Sequence, residues 1–201
     1  ACDSIDLDVA YGERRAILGP NGAGKTTLFN LVCGDFPVTT GSVELLGRDV
    51  TGMAQKEVAR MGLARTFQHV KLRPQMSLLD NVAMGAYART SAGVLRAGLR
   101  LDRGEELRVR AEAWRQLERI GLGRRAHEPA GSLPLGTQRL LEIARALAAD
   151  PVLLVLDEPA AGLRRREKEE LAALLRRLRD DGVTILIVEH DMDFVMKLVD
   201  R

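Results

Sequence analysis

Aromatic residues are scarce in this chain, at 3% of 201 residues, and cysteine occurs only twice, at Cys2 and Cys33. So few aromatic rings argue against a platform on which nucleic-acid bases stack. Two cysteines this far apart form neither a disulfide framework nor a zinc motif, which favours a reducing compartment. No apolar run approaches the ~20 residues that a membrane-spanning helix needs, so entry into a membrane is not expected.

Net charge is also small, because 30 basic residues face 28 acidic ones and leave a formal charge of +2. A nucleic-acid binder needs clustered positive charge, so no nucleic-acid partner is expected. The hydrophobic share of 46% and the charged share of 29% are ordinary for a globular domain. The chain is therefore predicted to fold around a real hydrophobic core.

Short apolar runs alternate with helical patterns along the chain. Strands are expected at 15–18, 42–46, 152–156 and 183–188, with a turn at 47–49. Continuous apolar strands separated by helices predict an α/β fold with a mostly parallel sheet flanked by helices.

Helical periodicity dominates the middle of the chain. Its clearest example is 105–120, where Leu107, Ala111, Trp114 and Leu117 recur at spacings of three and four, so that Trp114 is expected in the core. Further helices are expected at 26–32, 138–148 and 167–179.

The strongest functional signal is a match to the phosphate-binding pattern GxxxxGK[ST] between a predicted strand and a predicted helix. Its residues are Gly19, Pro20, Asn21, Gly22, Ala23, Gly24, Lys25 and Thr26. Small side chains let backbone N–H groups converge on triphosphate oxygens. Lys25 is expected to reach the β- and γ-phosphates, Thr26 to bind Mg²⁺ and Thr27 to contact a neighbouring phosphate. The alternative is a glycine turn ahead of a core helix.

A second signal is the apolar strand that ends in Asp157 and Glu158. Asp157 is expected to hold Mg²⁺ through its water shell, and Glu158 to act as general base on the attacking water. Gln68 is a candidate for binding Mg²⁺ or that water, and His190 a candidate contact to the γ-phosphate. Each has a structural alternative. Asp157 and Glu158 could simply form the polar turn that ends a strand, Gln68 could be a solvated loop residue, and His190 could be a polar residue at a strand end.

These motifs, in this order, resemble the nucleotide-binding subunit of ATP-binding cassette (ABC) transporters over essentially the whole sequence. The matching segments are the Walker A loop (19–27), the Q-loop (65–68), the signature (134–138), Walker B with its glutamate (153–158), the D-loop (160–163) and the switch segment (188–191). GLARTFQ, EPAAGL and VEHDMDFVM are similar to the ATPases of branched-chain amino acid importers, and urea-type importers share many of them.

The resemblance implies a P-loop NTPase fold of ABC type, with a RecA-like core at 1–73 and 134–201, a helical subdomain at 74–133, and trimmed termini. It implies an ATPase that uses ATP and Mg²⁺. It also implies a head-to-tail homodimer or heterodimer in which the signature residues Leu135, Gly136, Thr137 and Gln138 contact nucleotide in trans. The implied partners are membrane permease subunits and, indirectly, a substrate-binding protein. The implied location is the cytoplasmic face of the cell membrane.

Three departures from the family pattern stand out. Leu135 and Thr137 occupy positions that are serine and glycine in the usual LSGGQ signature, and Arg164-Arg165 follows the D-loop at the expected dimer seam. In the family, an aromatic residue well upstream of the Walker A lysine stacks on adenine. Tyr11 lies only 14 positions before Lys25, so no residue of this chain is predicted to stack on adenine.

Other functions stay open at this stage. One is the ATPase of another ABC transport system, for urea-type import or for export of lipid or lipopolysaccharide. Another is a cassette ATPase that acts in translation or DNA repair. A P-loop kinase or GTPase is a further alternative, although no asparagine precedes lysine as a guanine-reading NKxD motif requires. The transported solute is not determined by these residues.

Overall fold

The computed structural model describes residues 4–20, 22–66, 70–87 and 103–198. The chain divides into two compact units, Ala1–Gln68 with Pro151–Arg201, and His69–Asp150. In chain order the described elements are β1 (Arg14–Leu18), α1 (Lys25–Val32), β2 (Glu44–Leu45), β3 (Arg48–Asp49), α2 (Gln55–Arg60), β4 (Leu63–Arg65), α3 (Leu78–Tyr87), α4 (Arg103–Arg119), 3₁₀ turns at Gly123–Arg125 and Ala130–Ser132, α5 (Leu135–Leu147), β5 (Leu153–Asp157), α6 (Arg165–Asp180), β6 (Ile185–Glu189) and α7 (Met192–Val195).

The first unit is built on a four-stranded sheet in the order β1-β6-β5-β4. All three neighbouring pairs are parallel. The last strand in the sequence thus lies between the first strand and β5, and all four strands end at the same edge. The predicted mostly parallel α/β fold is confirmed.

The core of this unit follows from strand alternation, which sends successive side chains to opposite faces. Val155, Leu186 and Val188 share one cluster with Phe29 and Cys33 of the α1 region. Their strand neighbours are also buried, as expected for a parallel sheet covered on both faces. Helix α6 buries the predicted apolar stripe, Leu171, Leu174, Leu175 and Leu178.

The second unit is helical, and α3, α4 and α5 pack against one another. Gly85 of α3 makes a close approach possible, because a Cβ there would lie 1.8 Å from the carbonyl oxygen of Arg145 on α5. Asn81 is fully buried and donates to the carbonyl oxygens of Arg73 and Ser77. Helix α5, which carries the signature residues, clusters with this unit, whereas the predicted boundaries assign it to the core part 134–201.

Two local predictions are wrong. Residues 47–49 do not form the turn, because Arg48 already pairs with Leu45 in a hairpin whose two turn residues, Leu46 and Gly47, both have positive φ. Trp114 is not in the core: its side chain is 42% exposed and lies beside the His127 ring, at 6.2 Å between centroids.

The buried face of α4 is a different stripe from the predicted one, because α3 and α5 cover the side that carries Val109, Ala113 and Leu117. Of the predicted stripe only Leu117 is buried, and Leu107 is 69% exposed.

Candidate nucleotide-binding site

Strand register brings three sequence motifs to one edge of the sheet. Leu18, the last residue of β1, is level with Glu189 of β6, and Asp157 of β5 is level with Val188. The residues that follow these strands are Gly19, Glu158 and His190. In open parallel sheets, the carboxyl ends of the strands are where ligands bind.

The loop after β1 folds around its own lysine. Lys25 is 8% exposed, and its Nζ donates to the carbonyl oxygens of Gly19 and Pro20 at 2.6 and 2.8 Å. Those carbonyls satisfy the ammonium group, which offsets the cost of burying a charge. The ammonium group is therefore held within the loop by two charge-assisted hydrogen bonds.

Glycine is required at two positions of this loop. Gly22 has φ +84° and Gly24, the residue before α1, has φ +87°, a region that side chains rarely adopt. The Ala23 N–H donates to the Pro20 carbonyl at 3.2 Å. Helix α1 then begins at Lys25, so its positive N-terminal end lies at the loop.

The two threonines after Lys25 differ in exposure. Thr26 is exposed and Thr27 half-buried in the first turn of α1, whereas Asn21 lies outside the described residues.

Asp157 forms an ion pair that the sequence analysis missed. Its Oδ2 accepts a hydrogen bond of 2.9 Å from Nη2 of Arg65, and the two side chains are 5% and 7% exposed. Arg65 is the last residue of β4, which pairs with β5. The parallel register therefore carries the guanidinium to the carboxylate across 92 residues of sequence.

Arg65 also joins Asp157 to the end of the helix that follows the phosphate-binding loop. Its Nη1 donates to Asn30 Oδ1 at 2.7 Å and to Asp35 Oδ2 at 3.0 Å. The guanidinium carbon lies 5.8 Å from the centre of the Phe29 ring, within cation–π range. One arginine thus connects β4, β5 and the C-terminal end of α1.

Glu158 and His190 approach each other at the same edge. Glu158 has φ +46°, which is unusual for a residue other than glycine, and its N–H donates to the Val188 carbonyl at 2.9 Å. His190 Nδ1 lies 3.9 Å from Glu158 Oε2, and the His190 side chain is half exposed. A protonated His190 would be attracted to this carboxylate at such a distance.

A second carboxylate that the sequence analysis did not use is Glu189, which is fully buried. Its Oε1 accepts a hydrogen bond of 2.7 Å from the N–H of Ala160. Burial raises the pKa of Glu189, and the backbone N–H groups of Ala160, His190 and Asp191 oppose that rise.

The signature residues lie in the second unit, at the start of a helix. The first turn of α5 consists of Leu135, Gly136, Thr137 and Gln138. The helix therefore begins three residues earlier than predicted. Gly136 is buried and Leu135 exposed, while Gln138 Nε2 donates to the Leu133 carbonyl at 2.8 Å. This turn has the partial positive charge of a helix N-terminus.

One predicted residue cannot be placed at the site. Gln68 lies outside the described residues. In the described part of the chain, no group of three or more His, Cys, Asp or Glu side chains is arranged to hold a metal.

Among those same residues, no helix has both the length and the apolar composition needed to cross a membrane.

A glycine-rich loop that ends in a lysine at a helix start, together with an acidic strand end and a histidine, matches the pattern of a P-loop nucleotide-binding site. The sequence model of the family described as ABC transporter matches residues 2–161. Over 206 residues the chain is 40% identical to the high-affinity branched-chain amino acid transport ATP-binding protein LivG of Salmonella typhimurium, covering all of this chain and 80% of LivG.

Solved structures agree with that match. An ATP-binding cassette of an ABC transporter superposes with a TM-score of 0.84 at 29% identity, covering 98% of this chain and 78% of the other. A dimeric cassette in a post-hydrolysis state with ADP and Pi gives a TM-score of 0.77 at 27% identity, covering 97% of this chain and 86% of the other. The chain belongs to the ABC transporter family, which confirms the resemblance.

Proposed function

We propose that this protein is the ATP-hydrolysing subunit of a membrane importer for branched-chain amino acids. The observation that carries the proposal is the parallel register, which aligns the ends of β1, β5 and β6 and so brings the phosphate-binding loop, Asp157–Glu158 and His190 to one edge. The identity with LivG supports the choice of solute.

Binding would use the loop in its present shape. The nucleotide phosphates would contact the backbone of Gly19, Pro20, Asn21, Gly22, Ala23 and Gly24 and the side chains of Thr26 and Thr27. Lys25 would exchange its two carbonyl partners, Gly19 and Pro20, for β- and γ-phosphate oxygens. Because the ammonium group already lies against the loop, little side-chain entropy would be lost on binding.

The residues present fit Mg²⁺. This ion is usually held by one or two protein oxygens, several waters and the substrate phosphates, not by a cage of protein ligands. Asp157 offers a buried carboxylate whose Oδ2 accepts from Arg65, and Thr26 offers a hydroxyl at the helix start. Bound there with Gln68, Mg²⁺ would neutralise charge that develops on the phosphates.

Hydrolysis would depend on Glu158. Its carboxylate would accept a proton from the attacking water while the water oxygen bonds to the γ-phosphorus and the bond to the β-phosphate oxygen breaks. Gln68 would orient that water. His190, 3.9 Å from Glu158, would donate to a γ-phosphate oxygen. The products are ADP and inorganic phosphate.

The signature would act in a second copy of the chain or in a related cassette. The first turn of α5, with Leu135, Gly136, Thr137 and Gln138, would direct helix N–H groups at the γ-phosphate held by the partner. A solved relative that is dimeric with ADP and Pi supports a dimeric working state. The lost serine hydroxyl at Leu135 leaves backbone groups and Thr137 to make this contact.

Coupling would require membrane permease subunits, with the cassette on the cytoplasmic face of the membrane and a substrate-binding protein acting on the far side. Closure of the dimer on ATP and opening after hydrolysis would move those subunits.

The enzymatic half of the proposal is tested by Glu158→Gln. Steady-state phosphate release should fall by ~10²-fold or more, because the general base is lost while the phosphate-binding loop is intact. The matched control is Glu170→Gln on the exposed face of α6, where the carboxylate pairs with the exposed Arg166, and it should hydrolyse ATP normally. Turnover of Glu158→Gln at the wild-type rate would remove Glu158 from this role.

The transport half is tested in vesicles that contain the permease subunits co-purified with this chain. ATP-dependent uptake of labelled leucine, lost with Glu158→Gln, is the expected result. Uptake of urea or export of lipid without leucine uptake would contradict the proposed solute.

A further inference from the structure

The Glu189 carboxylate joins two segments that are distant in sequence. Oε1 accepts from the Ala160 N–H at 2.7 Å, and Oε2 accepts from the His190 N–H at 3.2 Å. Since Glu189 is fully buried, water does not compete for these two hydrogen bonds.

Each of the two segments contains or adjoins a residue of the proposed reaction. The first segment begins the D-loop at Ala160, two positions after Glu158. The second segment contains His190. The backbone at Glu158 is in a left-handed conformation, which persists only when its surroundings hold it. The bond from Glu189 to Ala160 fixes the chain two residues beyond this point.

A second contact joins the switch segment to the helix that follows the D-loop. Asp191 Oδ2 accepts from Lys168 Nζ at 2.6 Å, and Lys168 lies on α6, the helix after the D-loop. Asp191 Oδ1 accepts from the Phe194 N–H at 3.0 Å and so caps α7. The two segments are therefore held together by one buried contact and one partly exposed contact.

We propose that Glu189 is a positioning residue that holds the D-loop and the switch segment in one arrangement, so that His190 stays opposite Glu158. Only the kinetic consequence of this inference rests on the proposed ATPase function. A carboxylate is needed because each of its two oxygens accepts a hydrogen bond from a backbone N–H group. A glutamine of equal size would turn an NH₂ group toward one of those donors and leave that bond unmade.

The first test compares Glu189→Gln with wild type in ATP hydrolysis. The kcat should fall by about tenfold or more while KM for ATP changes less than about threefold, because misplaced reacting groups lower the rate of chemistry and the phosphate-binding loop is untouched. The matched control is Glu57→Gln, an exposed carboxylate that also accepts a backbone N–H, from Ala54 at 3.2 Å, and its kcat should equal that of wild type.

The second test is hydrogen exchange of backbone amides, which needs no nucleotide. In wild type the Ala160 amide should exchange slowly although it lies outside helices and strands. In Glu189→Gln it should exchange at least about tenfold faster, while the Ile187 amide in β6 keeps its protection. This pattern separates local loosening from general destabilisation.

The outcomes distinguish this inference from the proposed function. If wild type hydrolyses no ATP, the proposed function fails and the exchange of Ala160 still decides the role of Glu189. Fast exchange of Ala160 in wild type would overturn the inference even if the variant does not fold. Wild-type kcat in a folded Glu189→Gln, or a lowered kcat with unchanged Ala160 exchange, would overturn it as well.

Discussion

Replacement of Arg65 by methionine removes the cation that faces Asp157 while keeping an apolar stem beside Phe29. Both ion-pair side chains are at least nine-tenths buried, so the Asp157 carboxylate would be left without its charged partner. Loss of one member of a buried pair costs about 3–5 kcal/mol, because the remaining charge is neither hydrated nor paired. Asn30 and Asp35 lose their donor in the same variant, which places the expected cost toward the upper end.

The assay is urea unfolding at neutral pH without nucleotide, read as the change in the free energy of unfolding. The matched control is Arg166→Met, which removes an arginine paired with Glu170 at 3.2 Å where the arginine side chain is 89% exposed. That exposed pair is expected to contribute less than about 0.5 kcal/mol. The contrast between the two variants isolates the effect of burial.

A double-mutant cycle identifies the partner. Asp157→Asn in the Arg65→Met background should cost at least about 2 kcal/mol less than in wild type, because the two residues interact directly. A cost of Arg65→Met below about 1 kcal/mol, or additive effects of the two changes, would refute the assignment of this ion pair.

Two further predictions concern stability. In urea unfolding, Gly85→Ala should lower the free energy of unfolding by about 1–3 kcal/mol, because its Cβ would overlap the Arg145 carbonyl oxygen. The control Gly104→Ala, with nothing within 4 Å of the added Cβ, should not lower it. The hydrogen bond from Lys168 holds the pKa of Asp191 below its ordinary value of 3.8, so the stability from this carboxylate is present above that value and lost as the pH falls through the lowered pKa. Asp191→Asn should therefore lose less stability than wild type on acidification below about pH 4, and an equal loss would contradict the ion pair.

Local motifs predicted the ends of strands well. The glycine-rich loop, the acidic strand end and His190 each carry a short pattern tied to strand and turn chemistry. The structure has Gly19, Glu158 and His190 at one edge of the sheet because their strands are parallel neighbours. That adjacency was expected from the family resemblance and not from any one segment.

Contacts between distant segments could not be predicted in the same way. Arg65 meets Asp157 and Glu189 meets Ala160 only because β4, β5 and β6 are adjacent, and strand order is not written in local periodicity. Trp114 shows the related limit for helices: α4 has apolar residues on more than one side, and the covered side depends on where α3 and α5 pack.

The central claim is that a nucleoside triphosphate is bound by the loop after β1 and by Lys25. Calorimetric titration of wild type, Lys25→Met and the exposed-site control Lys197→Met with Mg²⁺ and ATP tests it directly. Wild type and Lys197→Met should bind alike, and Lys25→Met about 10²-fold more weakly, a loss of about 2.7 kcal/mol. Equal affinity of all three proteins, or no binding by wild type, would contradict the account.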